Sequence, residues 1–206
     1  VTESIGFVMP KTLLAMAGAD LSPNKISDSA LILIDCQNEY VTGALPLNDI
    51  DGAMLAAQDL LKRFRALGRP VIHVQHQGAA GGAFDLDAPR GAIDARVAPI
   101  DGETIVRKKL PNSFAATELD QHLKSIDVTQ LIIVGFQTHM CVSATTRAAL
   151  DLGYRSTLVG SAIATRDLPA ASGDGVVSAE TVHNATLAAL ADRFAIVVAN
   201  TDDIPD

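Results

Sequence analysis

Six short runs of apolar and β-branched residues recur along the chain, at 30–34 (ALILI), 70–75 (PVIHVQ), 103–107 (ETIVR), 130–136 (QLIIVGF), 156–159 (STLV) and 194–198 (FAIVV). Several are apolar without interruption rather than alternating, which is the pattern of strands covered on both faces in a parallel sheet. Stretches of helical periodicity lie between them. Residues 50–67 place Met54, Leu55, Leu61 and Phe64 in the apolar set, and Gly68 closes the helix as its C-terminal cap. Further helices are expected at 117–124, at 141–152 ahead of Gly153, and at 178–190 with Ser178 as N-cap. This alternation predicts an α/β domain: a doubly wound, six-stranded, mainly parallel sheet with helices on both faces, Rossmann-like in layout. The stretch 78–98 breaks the pattern. It is rich in Gly and Pro, has no period, and reads as a functional loop, a candidate lid over a site.

Residues 1–28 precede the first strand and read as an N-terminal arm, with 29–206 forming a single domain. Within the arm, the apolar run of 12–19 (TLLAMAGA) is too short for a secretory signal and reads as a short helix after Pro10. No run approaches the ~20 residues that span a bilayer. An apolar fraction of 48% over 206 residues is enough for a sizeable core. The net charge of −8, with no basic stripe, argues against a nucleic-acid partner. Two cysteines cannot make a disulfide framework, which suits a reducing, cytoplasmic setting. The expected partner is a small-molecule substrate, with neither nucleic acid nor membrane.

In open parallel sheets ligands bind beyond the carboxyl ends of the strands. The first run ends in Asp35, the third in Lys108, and the fourth leads through 135–140 to Cys141. A carboxylate, an amine and a thiol are therefore expected at one rim, far apart in sequence. Cys141 opens the helix 141–152, whose free N–H groups, together with a neighbouring ammonium, are expected to lower its thiol pKa. Each residue also has a plainer reading. Free cysteines are usually buried as small apolar groups, Asp35 could be a turn residue, and 107–109 could be a solvated basic edge. Cys36, next along the strand from Asp35, faces the other way and is expected in the core. The pocket candidates are Gln37, Tyr40, Phe84, Phe114 and His139.

Three blocks, LILIDCQNEYV (31–41), IVRKKLPNSFAATELDQHL (105–123) and LIIVGFQTHMCVSATTRAALDLGYRSTLVGSAIATRD (131–167), resemble the isochorismatase-like cysteine hydrolases. That superfamily includes nicotinamidase, N-carbamoylsarcosine amidase and ureidoacrylate amidase. The resemblance implies Cys141 as nucleophile, Asp35 as general base and Lys108 as the cation steadying both. Lys108 rather than Lys109 fits, because the family's lysine stands six positions before Phe114. It also implies a non-proline cis peptide at Phe136–Gln137, with the N–H groups of Gln137 and Cys141 as oxyanion donors. Nicotinamidases add an Asp-x-His metal stretch, whereas here VQHQGAAGGAFD (74–85) offers His76 alone. His73 and His76 point to opposite faces of a strand, so no metal and no cofactor is expected. The resemblance and the Ala-rich helices together suggest a homo-oligomer. The expected reaction is hydrolysis of a C–N bond in a small amide, carbamoyl or ureido compound through an acyl-enzyme on Cys141. The alternatives are vinyl-ether hydrolysis of the isochorismatase type and a catalytically silent binding homologue. A dinucleotide-binding role is disfavoured, since no GxGxxG follows the first strand.

Overall fold

The computed structural model describes residues 9–206. In chain order its strands are β1 (Ser29–Ile34), β2 (Val71–His76), β3 (Thr104–Lys108), β4 (Gln130–Phe136), β5 (Arg155–Ala164), β6 (Leu168–Pro169), β7 (Val176–Val177) and β8 (Ile196–Val198). The helices are α1 (Leu13–Met16), α2 (Ile50–Ala66), α3 (Leu119–Ser125), α4 (Ser143–Asp151) and α5 (Ala179–Arg193). Six strands form one parallel sheet in the order β3-β2-β1-β4-β5-β8, and β6 and β7 make a small antiparallel pair that the apolar pattern did not announce. The unbroken runs ALILI and LIIVGF belong to the two central strands, β1 and β4, where both faces are covered.

The two faces carry separate cores. Leu31 and Leu33 of β1 and Ile132, Val134 and Phe136 of β4 pack with Met54, Ala57, Leu60, Leu61 and Phe64 of α2. Ala30, Ile32, Ile34, Leu131 and Ile133 pack on the other face with Leu119 and Leu123 of α3, Ala149 of α4 and Leu190 of α5. The period-two alternation of β1 thus sends successive residues to different helices. In α2 the buried stripe runs through 54, 57, 61 and 64, so Leu55, one position off, is 56% exposed rather than part of the core. Gly68, at φ +60°, closes the helix in the left-handed conformation its capping role requires. The Ser178 hydroxyl accepts the Thr181 N–H and caps α5.

Residues 9–28 lie on this same domain; the first eight residues of the expected arm fall outside the described ones. Thr12 caps α1, and the Leu13 N–H donates to Asp192 of α5. Buried Asn24 donates its side-chain N–H to the carbonyls of Leu131 and Arg155, and its backbone N–H to Thr157. The arm is therefore stitched to the amino end of β4 and β5. No helix among the described residues is long and apolar enough to cross a membrane.

Candidate active site

Three chain segments leave the same carboxyl edge of the sheet, after β3, β1 and β4, with β2 between the first two. Asp35 follows β1 in the left-handed conformation (φ +52°), one that Asp tolerates. Lys108 ends the edge strand β3, where Val106 and Lys108 are buried while Ile105 and Arg107 face solvent. That alternation lifts Lys108 out of the basic run at 107–109: its neighbours are solvated and it is not. Gly135 (φ +116°) lets β4 pass close to β1, since a Cβ there would lie 2.1 Å from the Ile34 carbonyl oxygen. The next peptide, Phe136–Gln137, is cis. Cys141 then sits inside a π-helical turn, Thr138–Val142, that runs into α4. The helix expected at 141–152 thus begins two residues later, and the cysteine lies ahead of its first turn.

Lys108 is the hub. Its Nζ donates to Asp35 Oδ2 at 2.7 Å and to Cys141 Sγ at 3.2 Å, and it lies 3.3 Å from His76 Nδ1. The Asp35 and Lys108 side chains are fully buried, and Cys141 is 5% exposed. Asp35 Oδ1 is buried without a hydrogen-bond partner. Burial pushes the Asp35 carboxyl above the usual carboxylate range, against the pull of the Lys108 charge. Burial and then the Asp35 carboxylate push the Cys141 thiol up to about 12, with Lys108 opposing. The thiol expected to be acidified is therefore held protonated. Desolvation and an adjacent anion outweigh one ammonium.

The pocket candidates separate. Tyr40 is buried, its ring edge-on to Phe84 (5.0 Å) and Phe136 (5.9 Å), and its hydroxyl is pushed far up by burial and by the Asp35 charge. Phe84, also left-handed (φ +57°), meets His76 edge-on at 5.1 Å, so the loop 78–98 does reach the rim that carries Lys108. The loop is tied down by buried Glu39, which accepts the N–H groups of Ala44 and Phe84 and has Arg90 at 3.8 Å. Gln37 is a brace rather than a substrate contact: its amide donates to the His76 and Gly91 carbonyls and accepts the His76 N–H, leaving no group free. Phe114 stacks on Tyr154 at 5.6 Å and is used in packing. His139 bonds Thr165 at 2.8 Å; burial and then Arg166 lower its pKa. Gln137 is buried with its Oε1 unpartnered.

The pattern of the sequence missed Arg166, just beyond β5, whose Nε is buried without a partner and whose charge acts on Tyr40 and His139. An open groove of about 640 Å³ lies farther along the rim, between β5, β8 and α5, lined by Thr165, Glu180, His183 and Leu187 among others. It adjoins the π turn through His183, which bonds Thr138 at 2.9 Å. Among the described residues no three His, Cys, Asp or Glu side chains are grouped to hold a metal ion.

Residues 29–202 match the family model described as the isochorismatase domain. The chain is 33% identical to the secreted isochorismatase effector Isc1 of Verticillium dahliae, over 91% of this chain and 96% of that protein. It is 37% identical to a streptothricin hydrolase of Streptomyces noursei, over 82% of this chain and 67% of the relative. The crystal structure of an isochorismatase from Pseudomonas putida KT2440 aligns with a TM-score of 0.91 at 41% identity, covering 95% of this chain and 100% of the other.

Proposed function

The chain belongs to the isochorismatase family, and from that premise we propose that it hydrolyses a C–N bond of a small amide, carbamoyl or ureido substrate through an acyl-enzyme on Cys141. The observation that carries this reading is the Lys108 hub, which brings an unpartnered carboxylate oxygen, an ammonium and a thiol together in a buried setting. A thiol held up near 12 is not a standing thiolate. It becomes a nucleophile only as its proton leaves, so attack and proton transfer are coupled. Asp35 Oδ1 takes the Cys141 proton while Sγ attacks the substrate carbonyl carbon. This reading assigns the N–H groups of Gln137 and Cys141 as donors to the oxyanion, and Lys108 balances the negative charge that moves between Asp35, sulfur and oxygen. As the C–N bond breaks, Asp35 returns the proton to the leaving nitrogen. Asp35 then takes a proton from water, whose hydroxyl adds to the acyl carbon, and the departing Cys141 sulfur is reprotonated. A carboxyl pKa raised by burial suits a group that must both accept and donate a proton. Arg166 at the same rim suits a substrate that carries an anionic group. Two free cysteines and an acidic body suit action in a reducing cytoplasm.

A second reading has its own support. A buried carboxyl whose pKa is raised could deliver a proton to a vinyl ether, the chemistry after which the family is named. The two readings part at the sulfur. A panel of amides and ureido compounds assayed for ammonia, beside isochorismate assayed for pyruvate, decides between them. Ammonia release that is abolished in Cys141→Ala supports the first reading. Pyruvate release that survives in Cys141→Ala supports the second.

A further inference from the structure

His76 has no part in the steps above, yet it is the third group on the Lys108 ammonium. We propose that His76 is a positioning residue: its neutral imidazole, protonated on Nε2, accepts the third N–H of Lys108 through Nδ1 and so aims the other two at Asp35 and Cys141.

The sheet register explains the contact. His76 is paired with Lys108 across β2 and β3, and paired residues of neighbouring parallel strands project from the same face. His76 shares that face with Ile72 and Val74, as Lys108 does with Val106. An ammonium has three N–H donors and no acceptor. With Asp35 Oδ2 at 2.7 Å, Cys141 Sγ at 3.2 Å and His76 Nδ1 at 3.3 Å, three acceptors are present for three donors. Because Nδ1 faces a donor-only group, it must be the unprotonated nitrogen. Gln37 clamps the His76 backbone N–H at 2.8 Å and its carbonyl at 3.0 Å, and Phe84 packs edge-on against the imidazole. The charged groups acting on His76 are Lys108 from β3 and Asp35 from the end of β1; the loop side offers the Phe84 ring. Burial and then Lys108 lower its pKa, with Asp35 opposing, which is the direction a neutral acceptor needs.

The role in turnover rests on the hydrolase reading, whereas the protonation state does not, and the test separates them. In the full chain labelled with ¹⁵N-histidine, NMR should show neutral His76 as the Nε2–H tautomer, titrating below an ordinary histidine. In Lys108→Met its titration should move up. A protonated Nδ1 at neutral pH, or a titration indifferent to Lys108→Met, overturns the proposal whether or not any substrate is known. In turnover, His76→Asn keeps an acceptor near the Nδ1 position and should retain kcat within about threefold. His76→Leu removes that acceptor and should lower kcat about 10- to 100-fold with KM little changed, the scale of one hydrogen bond to a charged group. Equal losses in the two variants, or a loss confined to KM, count against positioning.

Discussion

The two ends of β3 each carry a carboxylate–cation pair with a β2 histidine beside it, and the two carboxyls shift in opposite directions. Ahead of the strand, Glu103 receives the Arg65 fork at 2.7 and 2.8 Å, the Ile100 N–H at 3.0 Å and His73 Nε2 at 2.9 Å. Burial alone would raise its carboxyl, but these partners, Arg65 foremost, hold it down to about 2. At the far end Asp35 has Lys108 on one oxygen and nothing on the other, and burial lifts it. A carboxylate satisfied on both oxygens is a fastening. One left half-satisfied in a dry site is a base waiting for a proton. The difference lies in the depth of burial and the number of donors.

Substitutions can break this contrast. Cys141→Ala should abolish turnover, by about 10⁴-fold or more, while circular dichroism shows the fold intact. Asp35→Asn should cost about 10³-fold in kcat without a matching loss in urea unfolding, because burial already makes the folded state favour the uncharged carboxyl that the amide mimics. Glu103→Gln should leave kcat within about twofold and cost about 2–3 kcal/mol of stability, the loss of charge-assisted bonds. If Glu103→Gln cuts turnover as deeply as Asp35→Asn, the division between fastening and chemistry fails.

Acid titration sharpens it. Glu103 has a lower pKa folded than unfolded, so its contribution is complete above pH 4.5, its ordinary value, and is lost as pH falls toward about 2. The loss should reach about 3 kcal/mol across that window, and Glu103→Gln should lack it. Asp35 carries the opposite sign. Its folded pKa is raised, so the folded state binds the proton more tightly, and this group favours folding as pH falls from the raised value down to the ordinary 3.8 and adds nothing further below it. Stability of wild type and both variants, measured by urea unfolding between about pH 2 and 6, separates the two ends of β3. The smallest effect belongs to His73→Asn, which should change stability by about 1 kcal/mol and leave kcat within about twofold.

The layout of the sheet was legible because its central strands are apolar on both faces, and a residue that ends such a run must stand at the rim. That logic reached Asp35, Lys108 and Cys141. What it could not supply was lateral register. His73 and His76 were read only as a poor chelating pair, yet pairing β2 with β3 sends one toward Glu103 and the other to Lys108. Parity was the available signal: His76 has the phase of the buried Ile72 and Val74. Gln37 and Phe114 looked like pocket residues because they stand in the right blocks, but hydrogen-bond saturation and ring stacking appear only in three dimensions. The direction of the Cys141 shift was missed for a related reason. A helix terminus and a lysine are visible in a sequence, whereas the depth of burial that overrides them is not.

The most direct trial is to quench the enzyme in acid during turnover of an amide or ureido substrate and weigh the intact chain. A gain equal to the acyl fragment, mapped to the peptide that bears Cys141, is the expected result. Steady turnover with no such gain, or with the added mass on the Cys36 peptide, contradicts the assignment of Cys141 as nucleophile.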